Sequence, residues 1–461
     1  MPRCATIEPL DWHRFGDPST LAQRFYKQAD FIWLDSASPS HNNSQFHILA
    51  WQPSVKVVAQ QGHVELHDAR SFVPSLPSEL SQLPFEALRW LAQQLSWPAT
   101  NHLLPFVGGW LGYWGYDLGR YIERLPSIAE ADINFADMSV GWYDAAVVID
   151  QSTKQAWLVG EKAAVAGLKK QLFESPPLSQ LSFQLTSDWR SNMNANSYAN
   201  KFSAVQDYLC AGDCYQVNLA QRYQARFSGE PFAAYLALRS VNSGPFSAYI
   251  NSPQGQVLSL SPERFIECRG DRIETKPIKG TRPRGSTQQD DEQQAADLLQ
   301  ADKDRAENLM IVDLLRNDLS KVATPSSVQV PLLFGIESFP SVHHLVSTVQ
   351  AQLAEQYDVY DLLKGAFPGG SITGAPKIRA MEVIDELEPH RRSIYCGSIG
   401  YISVNGQMDT SITIRTLLSD LNHNIFCWAG GGLVADSECN AEYQETHDKV
   451  SRILPTLNQL K

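Results

Sequence analysis

Lys279 stands in the string "KPIKGTRPRG", between an isoleucine and a glycine and just after Pro277, where a strand is ending. A strand end facing a cleft is where a side chain can do chemistry. This lysine is therefore either a solvated surface charge or an amine placed for attack. As a nucleophile it must shed its proton, which requires desolvation or nearby positive charge. Glu263 follows a Ser-Pro in "SLSPERF", and Pro262, which breaks regular pairing, could aim the carboxylate into a cleft. A strand-end charge is the plainer alternative. Glu442 and Glu445 are three apart and Lys449 lies four beyond Glu445, so all three project from one stripe of the final helix. The ordinary reading is a solvated face with an i,i+4 salt bridge. Against it stands the preceding "WAGGGLVADSECN", a glycine-rich approach of backbone to something. Glu307, in "DRAENLM", shares its helix side with Met310, Ile311 and Leu314. A carboxylate on an apolar face must be paired, protonated or bound to a metal. Three glutamates on two helices could bind Mg²⁺, which takes oxygen ligands and usually shares them with substrate and water.

Residues 368–377, "PGGSITGAPK", put glycines and hydroxyls before a helix start, where free N–H groups attract an anion. A glycine turn with a helix cap accounts for the string equally well. It lacks the GxxxxGK[ST] spacing of a Walker A loop. Arg415, in "SITIRT", is expected to share a strand face with Thr413, suited to a bidentate grip on a carboxylate. A sheet-surface arginine is the commoner case. His344, in "VHHLVST", is more often a satisfied core histidine than a catalyst.

Several elements must position these groups. Tyr198, Phe202, Val205 and Leu209 fall on one helix face, with Ser197 expected as N-cap and Gly212 as the stop. "CYQVNLAQRYQARF" (214–227) reads as a strand with Tyr215, Val217, Leu219, Tyr223 and Phe227 on one face. Gln216, Asn218 and Arg222 on the other face would line a wet cleft. Two short strands flank a Gly270-Asp271 turn, and 290–319 carries one long helical pattern. "PKIRAMEVIDEL" is a helix with Pro376 in its first turn, "MDTSITIRTLL" and "NIFCWAGGGLV" are strands, and "NAEYQETHDKVSRIL" is the last helix. The irregular alternation predicts a large α/β protein of the α+β type with mostly antiparallel sheets. A Ser-, Asn- and Pro-rich connector at 173–197 divides it into regions 1–190 and 195–455.

Over 461 residues, 43% are hydrophobic and 19% charged, which is globular. The net charge of −12 supplies no basic stripe, so nucleic acid is not expected as a partner. No window approaches 18 consecutive apolar residues, and the start has no apolar leader, so neither membrane nor secretion is expected. Seven scattered cysteines without a CxxC pair fit a reducing, cytoplasmic setting rather than a disulfide or zinc framework.

Taken in order, "SLSPERF", "PIKGTRPRG", "DRAENLMIVDLLRND", "HHLVST", "PGGSITGAPK", "CGSIGY", "SITIRT", "AGGG" and "YQET" resemble the chorismate-utilising enzymes. Within them the chain is most similar to the synthase component of the aminodeoxychorismate synthases. The resemblance is most specific across 195–455 and continues more loosely towards the amino terminus, where "GYDLGR" also fits. It implies a two-sheet antiparallel sandwich with outer helices, chorismate as substrate and Mg²⁺ on its ring carboxylate. By the same resemblance Glu307, Glu442 and Glu445 form the metal shell. Lys449, Arg415 and the backbone at Gly430, Gly431 and Gly432 hold substrate carboxylates, Thr373 lines the site, and His344 lies near the ring.

In the related anthranilate synthases an alanine stands where Lys279 stands here. In the aminodeoxychorismate synthases the lysine is the proposed nucleophile, attacking C2 as the C4 hydroxyl leaves with Glu263 as general acid. Isochorismate and salicylate synthases carry a water-activating lysine at the position of Gln216, which cannot take a proton at neutral pH, so an amine route is implied. Ammonia then needs a separate glutamine amidotransferase or free ammonium, because Gln216 replaces the second glycine of a GxCxG elbow. "FIWLDSASPS" (31–40) lies where relatives carry a tryptophan pocket, and Asp35-Ser36 matches that pattern in part. A structural, a regulatory and an empty pocket all stay open. An anthranilate synthase component I and a silent tryptophan- or chorismate-binding homologue are the competing functions.

Overall fold

Alternation along single strands reveals how the layers stack. In the Ile32–Asp35 strand, Ile32 enters one apolar core and Trp33 another. Ala248 and Tyr249 divide in the same way, as do Val257 and Leu258, Leu418 and Leu417, and Phe426 and Cys427. A strand with both faces buried has to lie in a middle layer. The computed structural model describes residues 4–460 except 16, 40, 42, 69–70, 99–103, 175 and 339–341. Ser40 of the 31–40 stretch and Ser175 of the connector are outside that set.

Among the described residues two large sheets form, of thirteen and eleven strands. All strand pairs within them are antiparallel. The first sheet runs from Ala5–Leu10 at one edge through Ile32–Asp35, Phe246–Ser252 and Gly255–Ser261 to Asn424–Leu433 and Gln216–Gly229. The second runs from Ile278–Pro283 through Val342–Gln352, Arg264–Arg269, Met408–Ile412 and Ser398–Ser403 to His63–His67. The larger core fills the space between the sheets and continues beneath Pro84–Leu95, Asp302–Ser320 and Val359–Ala366. The smaller core joins the far face of the first sheet to Pro18–Phe25, Lys162–Phe173 and Pro231–Val241. This is the expected α/β fold, a two-sheet antiparallel sandwich with helices around it. Both sheets draw strands from before and after residue 190.

Four local expectations are corrected. The 290–319 pattern is two helices, Gln288–Gln300 and Asp302–Ser320, because Ala301 takes ψ 104° and leaves the helical region. "MDTSITIRTLL" is two strands in different sheets, Met408–Ile412 and Thr416–Asp420, and the chain crosses at 413–415. The Ala195–Ala211 helix starts at Asn194, with Ser197 as the reciprocal partner of a capping box, while Gly212 closes it at φ 81°. The Gln216–Gly229 strand does not keep one packed face: Val217 and Leu219 enter the larger core, Tyr223 and Phe227 the smaller, and Tyr215 is exposed. Fourteen residues of right-handed twist are enough to turn a face between layers.

Arg392 ties the core to the floor of the cleft. It is buried, pairs with Glu388 at 2.7 Å, and donates to the carbonyls of Ile372 (3.0 Å) and Asn218 (2.7 Å). Glu388 in turn accepts the Ala220 N–H at 2.8 Å. A fully bonded buried pair of this kind fixes the strand and the "SITG" turn relative to each other.

Candidate active site

Lys279 lies in the Ile278–Pro283 strand at a β-bulge. Lys279 pairs with Leu345 and Thr281 with His344, so Gly280 has no opposite residue. Gly280 has φ 73°, and a Cβ there would lie 2.8 Å from Asp304 Cγ and Leu298 Cδ1. Only glycine allows both that conformation and that approach to the Asp302–Ser320 helix. The bulge turns the Lys279 amine to the Ser371 carbonyl, 3.1 Å away. The Ser371 hydroxyl donates to Glu263 Oε1 at 2.9 Å. One residue of the "SITG" turn therefore bridges the amine and the carboxyl.

Burial lowers the pKa of Lys279, against the pull of Glu307 and Glu263, and Lys449 adds to the lowering. The nearer cations in sequence are turned to other partners. Lys276 reaches Glu337 (3.4 Å), Arg282 reaches Asp304 (2.9 Å), and Arg284 clamps Asp291 with two 2.6 Å bonds. Burial raises Glu263 to about 7, even though Lys279, the Ser371 hydroxyl and the Ile278 N–H all favour its charged form. His344 is buried, its Nδ1 is 2.9 Å from Thr281 Oγ1, and burial with the Arg415 charge pushes it down to about 3. It is a neutral imidazole behind the bulge.

The three glutamates face one another from two helices. Glu442 is buried, accepting from Ser437 Oγ (2.7 Å) and Lys303 (3.1 Å). Its Oε2 and Glu445 Oε1 both lie beside Gly431, 3.2 and 3.5 Å from where a Cβ would stand. Burial raises Glu307, and Lys279 and Lys303 oppose the rise. Burial also acts to raise Glu445, but its Lys449 partner at 2.7 Å brings it below its ordinary value. Among the described residues no three His, Cys, Asp or Glu side chains close round one point. The glutamates are thus no ready-made cage. Their donor chemistry still fits Mg²⁺, which takes one or two carboxylates and completes its shell with substrate and water.

Pairing of Asn424–Leu433 with Thr416–Asp420 ends at Cys427, so Gly430, Gly431 and Gly432 leave that backbone edge open. On the other edge they pair with Ala220, Leu219 and Asn218. A Cβ on Gly432 would collide with Gln216 Nε2 at 2.0 Å, and one on Gly430 with Asn218 Oδ1 at 2.7 Å. Gln216 Oε1 and Asn218 Oδ1 are buried without a partner among the described residues. Such acceptors call for a donor from ligand or water. Arg222 does not line this cleft; it turns to Asp132, with bonds of 2.7 and 2.6 Å. Lys449 also donates to the Gly430 carbonyl at 2.7 Å.

Arg415 sits where the chain crosses between sheets, with φ 50° rather than a strand conformation. It therefore does not share a strand face with Thr413, whose hydroxyl donates to the Ile394 carbonyl. The Arg415 guanidinium makes no hydrogen bond or ion pair among the described residues, and burial lowers its pKa. Thr373 is buried, its hydroxyl donating to the Gly369 carbonyl at 3.0 Å. Asp35 and Ser36 lie elsewhere, on a cavity of about 320 Å³ between the sheets. Asp35 is saturated by Tyr235 (2.7 Å), Arg239 (2.5 and 3.0 Å) and His47 (3.1 Å). Two residues escaped the sequence reading. Ser371 shows no local sign of its bridging role inside its turn, and Lys303 shows none of its contact with Glu442, 139 residues away in the chain.

A cleft of this kind, with an amine, an acid, an unpaired guanidinium and facing carboxylates at the junction of two sheets, has known counterparts. Residues 29–455 match the model of the chorismate binding enzyme family, and the chain belongs to that family. It is an enzyme. It is 58% identical over 365 residues, 78% of this chain and 80% of the relative, to aminodeoxychorismate synthase component 1 of Escherichia coli. To the protein of the same name from Salmonella typhimurium it is 49% identical, with 98% of each chain covered. Anthranilate synthase component I from Streptococcus pneumoniae superposes with a TM-score of 0.79 at 30% identity, covering 89% of this chain and 92% of that one.

Gly280→Ala tests the bulge. The added methyl meets Asp304 and a strained φ, so the strand has to shift. The expected result is a loss of about 10²-fold or more in kcat/KM, from a displacement of about 1 Å at Lys279. Steady-state kinetics beside thermal unfolding will show activity falling much further than stability.

Proposed function

We propose that this chain aminates chorismate at C4 to give 4-amino-4-deoxychorismate, on the route to 4-aminobenzoate and folate. The observation that carries the reading is the Ser371 bridge, which puts the Lys279 amine and the Glu263 carboxyl on one residue. The Lys279 amine, whose pKa is lowered by burial, adds to C2 of the ring once it has shed its proton. Both ring double bonds shift, C1=C2 to C1=C6 and C5=C6 to C4=C5, and the C4 hydroxyl leaves as water on taking the Glu263 proton. Ammonia then adds at C4, both double bonds return to C5=C6 and C1=C2, and the C2–N bond to Lys279 breaks. Glu263, left as a carboxylate, receives the proton that the new amine sheds. Arg415 and the open edge at Gly430 to Gly432 hold the substrate carboxylates, with Lys449 beside them. Thr373 lines the turn. His344 holds the bulge through Thr281 and acts as a positioning group. Glu307, Glu442 and Glu445 are the residues that would hold Mg²⁺, which when bound supplies positive charge against the ring carboxylate.

Ammonia is delivered by a glutamine amidotransferase partner, as the component 1 names of the relatives suggest. Among the described residues no helix is long and apolar enough to cross a membrane. A second reading concerns the inter-sheet cavity. Its volume falls at the lower end of the ~300–1,000 Å³ typical of small-ligand sites. Asp35, Ser36, Phe46 and Tyr401 contribute to its wall, and it is a tryptophan site by the same family resemblance.

Three measurements test these readings. With chorismate, Mg²⁺ and ammonium, mass spectrometry should find 4-amino-4-deoxychorismate without pyruvate. Anthranilate with pyruvate would replace the proposal by an anthranilate synthase. In the same assay Lys279→Ala should lose any covalent substrate adduct and keep chorismate binding; an adduct that survives makes another group the nucleophile. Because the acid must carry its proton, kcat/KM should fall as pH rises above about 7, the value for Glu263. Glu263→Gln should remove that limb and slow turnover by about 10²–10⁴; an unchanged alkaline limb rules Glu263 out. Equilibrium dialysis should find L-tryptophan bound, and Ser36→Phe should abolish it. Protein that neither carries nor takes up tryptophan disposes of the second reading.

A further inference from the structure

Lys303 begins the working face of the Asp302–Ser320 helix, two residues after the break at Ala301. Its ammonium is 3.1 Å from Glu442 Oε1, and it also faces Glu307 and Glu445. Lys279 faces Glu307 and Glu445, and Lys449 pairs with Glu445, but each has a backbone carbonyl of its own, on Ser371 and Gly430. Lys303 has no such anchor; its bonded partner is Glu442. Its side chain is 45% exposed while that of Glu442 is 4% exposed, so the lysine reaches in from solvent to a fixed, buried anion. Glu442 Oε1 is already taken by two donors, Ser437 and Lys303, and Oε2 lies against Gly431. A cation approaching Glu442 through Oε1 has to compete with them, and of the two Lys303 carries the competing positive charge.

We infer that Lys303 is an internal counter-ion that holds the place of a metal cation at Glu442 and is displaced when the metal binds. This rests on the metal reading of the three glutamates proposed above. In the resting state it neutralises a buried carboxylate that would otherwise stand uncompensated. It also weakens metal binding to the empty enzyme, because an incoming dication has to compete with that ion pair for Glu442. When a dicarboxylate substrate arrives with the metal, it brings its own oxygens and negative charge. The freed ammonium then has solvent or the substrate rim to turn to. Metal and substrate are thereby made to enter together, and idle loading with the metal alone is suppressed.

The test is calorimetric titration of Mg²⁺, backed by Mn²⁺ titration read by electron paramagnetic resonance, into the full chain without chorismate. Lys303→Met removes the competing charge and should tighten metal binding about tenfold, a difference of about 1.4 kcal/mol. Lys303→Arg keeps the charge and should stay close to the parent. A merely structural lysine would lower affinity on removal, or leave it unchanged. Equal or weaker binding in Lys303→Met therefore overturns the inference. Glu442→Gln separates this from the underlying reading. If it abolishes binding, the metal site stands whatever Lys303 does. If it leaves binding intact, the metal reading and the inference fall together.

Discussion

The cleft depends on keeping an amine and a carboxyl buried side by side without letting them settle as an ion pair. In water Lys279 and Glu263 would both be charged. Burial works against both charges, lowering the amine and raising the acid to about 7. Ser371 sits between them and offers each a neutral partner, its carbonyl to the amine and its hydroxyl to the acid. Desolvation alone favours the uncharged forms, and at Glu263 the Ser371 hydroxyl works against it. The arrangement has a cost in stability. Glu263 binds its proton more tightly in the native state than when unfolded, so its contribution is most favourable below its ordinary value of 4.5 and is lost as pH rises towards about 7.

The scaffold meets this demand with a few backbone irregularities placed where regular structure would fail. The bulge at Gly280 turns the amine inward, and the left-handed Arg415 frees a guanidinium at the crossing between sheets. The three glycines at 430–432 let Gln216 and Asn218 fold across the strand. Each would be destabilising in isolation. Nearby, Arg392 bonds Glu388, Ile372 and Asn218, and Glu388 accepts from Ala220, so the floor of the cleft is tied down.

What the sequence disclosed was whatever rests on local chemistry. The hairpin at Gly270-Asp271, the stop at Gly212, the strand ending in three glycines and the Cys439–Val450 helix all follow from turn preferences and periodicity, although a further short helix, Leu454–Asn458, ends the expected last one early. The shared stripe of Glu442, Glu445 and Lys449 was legible for the same reason. Partners distant in the chain were hidden. Arg222 had the right spacing for the cleft but was claimed by Asp132, and Lys303 had the right spacing for Glu307 but was claimed by Glu442. The crossing at 413–415 was missed because alternating Thr and Ile continue a strand pattern straight through it. The break at Ala301 was hidden because alanine favours the helix that it there interrupts.

The interleaving of strands has a consequence for how the molecule is made. Gly109–Trp114 lies between Met138–Tyr143 and Ser398–Ser403, and Ile32–Asp35 between Phe46–Ala50 and Phe246–Ser252. During synthesis the early strands leave the ribosome with one edge satisfied and the other waiting for partners hundreds of residues away. Such long-range pairings close slowly and expose sticky edges meanwhile. Neither sheet can therefore close until Ser398–Ser403 and Asn424–Leu433 have been made.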